Sequence, residues 1–294
     1  MSVTEPRTKA ATPRRQVAVA SPRKSTASII STVILIVIGA LFLVPLFWIV
    51  LASLDANAGV SVKLPEHWTL QNFTAVMTTD LAWRPLLNST LISMGTAIVT
   101  VVFSVLAAYP LSRFEMRFKK PFMYSILFGA GLPVTAMMVP VYTLFVMLGL
   151  LNNLWGVVAF MAATALPMAI WMTKNFMDSV PISLEEAAWV DGASSMKALM
   201  HIVVPLMRPG LGVVFIFVFT MAWGNFFVPF VLLFDSSQFP AAVSIFNFFG
   251  AYGTVAYGQL AAYSILYATP VIALYALVQR MSGGLFALGG AVKG

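Results

Sequence analysis

Pro181-Ile-Ser-Leu-Glu-Glu-Ala-Ala-Trp-Val-Asp-Gly-Ala-Ser-Ser195, running on through Met196 and Arg208 to Pro209, is the one long polar interruption in the hydrophobic second half of this sequence. Its spacing predicts two short helices around a glycine. Ser183 stands three residues before Glu186, the separation of a capping box, so a helix is expected from about Leu184. Gly192 can take the left-handed conformation that ends such a helix, and a side chain there is expected to obstruct the turn. Ser194 or Ser195 can cap the second helix, which is expected to stop before Pro205. Ala187 and Ala188 leave one face nearly bare, with Glu185, Glu186 and Asp191 around it. A short helix of that kind suits close docking into a groove on another protein.

Outside this stretch the composition decides the class. Of 294 residues, 60% are hydrophobic and 9% charged, too apolar for a soluble domain of this length, so the chain reads as an integral membrane protein. There are no cysteines, which excludes disulfides, thiolate catalysis and cysteine-ligated metals. His67 and His201 have no second histidine at ligand spacing, so no metal site is expected. The net charge of +7 does not point to nucleic acid, because the basic residues sit in tails and short loops beside apolar runs.

Residues 1–28 carry Arg7, Lys9, Arg14, Arg15, Arg23 and Lys24 with few large apolar side chains and are expected to be a disordered basic tail. The run that follows, Ile29 to Leu51, is longer than a signal-peptide core and lacks a clear cleavage site, so it is read as a permanent span. Further runs of about 20 apolar residues or more lie near Asn88–Leu111, Pro121–Leu148, Leu154–Thr173, Gly210–Phe234 and Gly258–Gln279. The expected fold is therefore all-α with six transmembrane helices, since backbone groups cannot go unpaired in lipid. Prolines 45, 133, 140, 167, 229 and 270 fall inside these runs and predict kinks or local unwinding.

Placing the amino terminus in the cytoplasm leaves only Lys63 and Arg84, of seventeen lysines and arginines, on the outer side. Both termini and the opening stretch are then cytoplasmic. Four of the ten acidic residues, Asp178, Glu185, Glu186 and Asp191, gather in that loop. Acids contribute little to topology, so a cationic patch on a cytoplasmic partner is the functional reading, and dipole and cap stabilisation of the helix start is the plain one. No Asp, Glu, Lys, Arg or His lies within the six runs, which argues against a proton-coupled carrier or an intramembrane enzyme. No Gly-x-x-x-x-Gly-Lys-Ser/Thr loop is present, so a pump of this shape must draw its energy from another subunit. A membrane-embedded enzyme and a purely structural scaffold are the alternatives from other classes; the first lacks convergent ionisable groups, and the second has no need of a docking loop.

Glu186-Ala187-Ala188, three residues, Gly192, nine residues, then Ile202 and Val204-Pro205 resemble the cytoplasmic signature of the permease subunits of bacterial ATP-binding-cassette importers, with valine where leucine is usual. Pro167–Trp171, Pro140-Val141-Tyr142, Gly149–Asn152, Trp68–Phe73 and the ending Gly290–Gly294 are similar to the maltose-permease-like carbohydrate branch. The resemblance covers roughly residues 30–294. It implies the type I importer architecture: a permease domain over 29–282, in which 178–209 is a coupling loop seated in a cleft of the ATPase, with Glu186 paired to a basic residue there. It implies too that the tail 283–294, through Val292, Lys293 and Gly294, touches the ATPases, although Gly284-Leu285 is set further from Gly290 than in the usual pattern. Implied partners are a second related permease subunit, a dimer of ATPases that hold ATP and magnesium, an extracellular solute-binding protein and a carbohydrate or sugar-phosphate-like solute. No cofactor is expected on this chain itself. The candidate ATPase-coupling residues are Glu185, Glu186, Ala187, Ala188, Asp191, Gly192, Ile202 and Pro205; the candidate substrate-path residues are Tyr142, Trp223, Asn225, Gln259 and Tyr263. Trp223-Gly224-Asn225-Phe226-Phe227 suits a sugar in principle, because rings stack on apolar sugar faces and amides bond hydroxyls.

Overall fold

The structure, a computed structural model, describes residues 26–250 and 255–281. The basic tail lies outside these residues up to residue 25, and the carboxyl-terminal tail with Val292, Lys293 and Gly294 lies outside them entirely. The chain divides into two compact units, Met1–Phe47 and Trp48–Gly294. Helix α1, Thr26–Ser53, runs across that division. In the first unit, residues 30–47 are helical and exposed; a helix apolar all round needs lipid or another apolar surface against these side chains.

The second unit is all helix and connecting segment, and among the described residues no strand forms. After α2, Gln71–Val76, and a π-helical turn at Thr79–Trp83 come the long α3, Arg84–Arg113, and the shorter α4, Lys119–Ala130, and α5, Val134–Met147. Then follow α6, Leu154–Asp178, α7, Ser183–Val190, α8, Ser195–Ala198, and α9, Val204–Leu206, the last two joined by a π-helical turn at Leu199–Val203. The chain continues through α10, Arg208–Trp223, α11, Phe227–Leu232, and α12, Ala241–Ser244, to α13, Tyr257–Met281.

Among the described residues, four helical segments are long and apolar enough to cross a membrane, and up to six if each of two bent pairs is one span. The expected span 121–148 is one such pair: α4 and α5 meet at 89°. Pro133 sits in extended backbone at the break and has no N–H to continue a helix, so the local unwinding falls at this proline. The expected span 210–234 is also not one helix. It ends at Trp223, unwinds over Gly224–Phe226 and resumes as α11, because the Asn225 side chain accepts from the Val228 N–H and starts a new helix. By contrast, Pro45, Pro140, Pro167 and Pro270 lie inside unbroken helices.

Helix α3 is the axis of the second unit, packing most extensively on α6 and then on α10. Small residues make the approach possible. Ala97, Ala165 and Ala169 are fully buried beside Val214, Val218 and Phe219, and Ser104 shares a 3.0 Å hydrogen bond with Thr173. At the α3 amino-terminal end, Asn88 donates to the carbonyls of Ser237 and Phe239, and Ser89 accepts from the Ala241 N–H. Asn152, held at a φ of 53°, receives the N–H groups of Phe234 and Asp235 on its side chain. These amide contacts pin the irregular segment after α11 to the helices.

Gly210 marks the tightest crossing. A Cβ there would lie 2.5 Å from Cγ and 2.9 Å from Cβ of Phe176, atoms close to the α6 backbone that cannot swing away. Gly210→Ala is expected to cost about 1–3 kcal/mol through overpacking, read as a lower thermal unfolding midpoint in detergent. Gly224→Ala, whose nearest contact would be the Thr220 carbonyl at 3.6 Å, is the control expected to change the midpoint little.

Candidate functional site

The stretch from Val180 to Met207 is packed onto the ends of α3 and α6. Ala198, Leu199, Val203 and Met207 are buried against Val105, Ala108, Tyr109, Met177 and Val180. Helix α7 begins with Ile182 as its cap, one residue earlier than the spacing of Ser183 and Glu186 indicates, and no side-chain cap is made. The expected capping box therefore does not form. Ser183 lies inside the first turn, where its hydroxyl cannot serve the N3 amide, and backbone N–H groups of Glu185 and Glu186 both reach the Ile182 carbonyl.

Glu185 has a different task from its neighbour. Its side chain is fully buried, with Oε1 2.5 Å from Nε of Arg113 and Oε2 accepting from the Tyr109 hydroxyl at 2.9 Å. Arg113 also donates to the Val180 carbonyl at 3.2 Å and to Ser112, which in turn donates to Asp178; Lys174 pairs with the other oxygen of Asp178. A buried carboxylate is tolerable only when paired and hydrogen-bonded, and here both oxygens are served. Glu185 thus faces its own bundle, whereas Glu186, one position on and about 100° round the helix, is exposed.

Helix α7 closes through paired backbone bonds: the Gly192 N–H reaches the Trp189 carbonyl at 3.0 Å and the Ala193 N–H reaches Ala188 at 2.9 Å. Gly192 takes a φ of +84°. Nothing lies within 4 Å of where its Cβ would be, so a side chain would not obstruct the turn as expected. The constraint is the left-handed backbone itself, which disfavours residues bearing a Cβ. Ser194 then caps α8, accepting from the Lys197 N–H. The second helix does not stop before Pro205. A π-helical turn, whose bonds span one more residue, carries the chain through to Leu206 with the proline in the first turn of α9, where no N–H is needed.

The outer surface of this loop is mixed. Ala187, Asp191 and Gly192 are exposed with Glu186; Ala188, Ile202 and Pro205 are half-buried. Ile182, Leu184, Met196 and Met200 are also exposed, and Val190 is 88% exposed. Two carboxylates set among unpartnered apolar side chains form a surface suited to a partner with a cationic rim and an apolar floor. The stretch Ser195–Leu206 meets α10 at 80° across a break at Met207.

The candidate substrate-path residues are not brought to one site. Trp223 is buried, stacked between Phe219 and Tyr267, with its indole N–H on the Tyr267 carbonyl. Tyr263 is buried and donates to the Ala241 carbonyl. Asn225 is used in starting α11. Tyr142 is exposed on α5 and Gln259 half-buried at the start of α13. What does gather at the helix break is a set of rings: Phe226, Phe230, Phe246 and Phe249 stack or tilt against one another at 4.9–6.2 Å. Beside them is a cavity of about 360 Å³ lined by Gly224, Phe226, Ala242, Ser264, Tyr267 and, of the candidate residues, Tyr263 among others. Sequence spacing could not single these rings out from the many phenylalanines of a membrane chain. Arg113 was equally hidden as one basic residue among several at a span end.

Residues 100–283 match the family described as binding-protein-dependent transport system inner membrane component. The chain belongs to this family. As an inner membrane component it is a multi-pass membrane protein, consistent with its several apolar helices. It is 28% identical over 263 residues to the diacetylchitobiose uptake system permease protein NgcG of Streptomyces coelicolor, covering 87% of this chain and 86% of that one. It is 31% identical over 256 residues to the trehalose transport system permease protein SugB of Mycobacterium tuberculosis, covering 86% and 93%. A bacterial ABC transporter that imports the acidic polysaccharide alginate, known from its crystal structure, shares the fold with a TM-score of 0.76 at 23% identity, over 89% of this chain and 98% of that one.

Removing Arg113 from this inner membrane component would leave a buried carboxylate without its counter-charge. Arg113→Ala is expected to destabilise by about 3–5 kcal/mol in thermal unfolding, with the paired Arg113→Met, Glu185→Met variant recovering much of the loss. Gly192→Val is expected to cost about 1–2 kcal/mol locally, seen as faster amide exchange over residues 183–198, and Gly192→Asn less because asparagine tolerates the left-handed region.

Proposed function

We propose that this chain is the permease subunit of an ATP-binding-cassette importer that takes up a carbohydrate delivered by an extracellular binding protein. The observation that carries the proposal is the coupling loop: an acidic and apolar outer surface, locked to α3 through Glu185 and Arg113 and leading through a sharp bend directly into α10. The chain has no phosphate loop of its own, so ATP and magnesium belong to partner ATPases and this subunit is not the catalyst. Names among its relatives support the cargo: diacetylchitobiose and trehalose are carbohydrates.

In this reading α4 with α5 is one span and α10 with α11 another, giving six crossings with both termini in the cytoplasm and Glu186 and Asp191 docked in the ATPase cleft. Closure of the ATPases moves the docked loop, α10 swings with it, and the bundle shifts between inward-open and outward-open populations by differential affinity. A second, related permease completes the pathway. The break at Gly224–Phe226 lies in the span that the loop drives, and its ring cluster offers apolar faces to a sugar passing from the binding protein.

The assembled complex should hydrolyse ATP faster when the solute-loaded binding protein is added. Glu186→Lys and Val190→Asp, both on exposed positions, are expected to lower solute uptake at least about tenfold while the chain still inserts in the membrane. Uptake at the unmodified level in both variants would rule out loop docking, and ATP turnover indifferent to any loaded carbohydrate receptor would rule out the cargo class.

A further inference from the structure

At the end of the bundle that carries the loop, the turn between α3 and α4 and the last turns of α6 enclose a cavity of about 840 Å³. Its lining includes Arg117, Lys119, Lys120 and Lys174, against a single carboxylate, Glu115. Lys174 is paired with Asp178, but Arg117, Lys119 and Lys120 form no ion pair among the described residues. The local backbone adds to the imbalance. Lys119 and Lys120 occupy the first turn of α4, whose cap Phe118 offers no side-chain acceptor, so two cations sit at the positive end of a helix dipole. Such an arrangement is relieved by an anion.

The surroundings indicate what kind of anion. A second cavity of about 470 Å³ shares Met116, Arg117 and Lys119 with the first and is otherwise lined by Ala107, Pro110, Leu111, Phe118 and Phe122. Cationic space and apolar space therefore adjoin across Met116, Arg117 and Lys119. Tyr124 and Trp171 also line the cationic cavity, the residue types that settle at the headgroup level of a bilayer. Along α4, Phe122 and Phe128 leave their rings exposed beyond them. A soluble anion has no use for the apolar half. A molecule with a negative head and hydrocarbon tail fits both.

We propose that this paired cavity is a binding site for one anionic phospholipid, its phosphate held by Arg117, Lys119 and Lys120 and one acyl chain laid along Phe118 and Phe122. The site lies next to the network of Ser112, Arg113 and Asp178 that anchors the coupling loop. It does not depend on which solute the complex carries.

The test uses the assembled importer, delipidated in detergent and titrated with phosphatidylglycerol or phosphatidylcholine, with bound lipids counted by native mass spectrometry. The unmodified complex is expected to retain phosphatidylglycerol about tenfold better than phosphatidylcholine. Arg117→Gln, Lys120→Gln together should remove that preference, and Phe118→Ser, Phe122→Ser together should weaken both lipids. Glycerol phosphate at matched concentration should not displace bound phosphatidylglycerol. An unchanged preference in the arginine and lysine variant would overturn the site, and displacement by glycerol phosphate would show a simple phosphate pocket in place of a lipid site. The charge substitutions fall on exposed side chains, and retained ATP turnover confirms that the variants are assembled.

Discussion

A carboxylate with no exposed surface, at a turn between two apolar helices, holds the polar loop between them in place. Glu185 is served by Arg113 from the end of α3 and by Tyr109 one turn earlier on the same helix. Charge is costly to bury, and the cost is offset only while both partners stay in position. The interaction therefore does not so much add stability as forbid alternatives: α7 cannot slide or lift away without stranding a charge. Everything on the outer side of the loop, from Glu186 round to Met200, inherits its position from that constraint.

The same end of the bundle shows how a small loop can be rigid. Its helices are too short to stand by themselves, since nucleation is unfavourable and few backbone bonds form in each. They persist because Leu199, Val203 and Met207 fill the space between α3 and α6, and because the Gly192 turn and the Ser194 cap satisfy the backbone groups at the break. The π-helical turn then joins the loop to α10 across two prolines. A loop built this way is held to the bundle along its whole length.

The other end of the bundle works differently. There the chain is held by amides: Asn225 takes up a backbone N–H at the break after Trp223, and Asn88 and Asn152 take up backbone groups of the irregular segment after α11. In lipid those groups would have no water to turn to, so unwound backbone can exist only where side chains or a cavity receive it. Rings collect at that break, while Trp223 and Tyr263 spend their polar atoms inside the core. A tryptophan and an amide two positions apart in sequence looked like one site, yet the helix ends between them and sends them to different tasks.

Sequence alone determined the class of molecule, the positions of the apolar runs, the glycine-broken loop and the family resemblance, because each rests on local spacing and on the cost of exposing backbone to lipid. The left-handed Gly192 and the serine cap at Ser194 were legible for the same reason, being properties of a few consecutive residues. Only the tertiary structure decided that Glu185 turns inward while Glu186 turns out, that one apolar run is sharply bent and another interrupted, and that Arg117, Lys119 and Lys120 share a cavity with Trp171. Those outcomes depend on residues dozens of positions apart meeting across helix faces: Arg113 lies 72 residues from Glu185. No window along the chain contains both halves of such a contact.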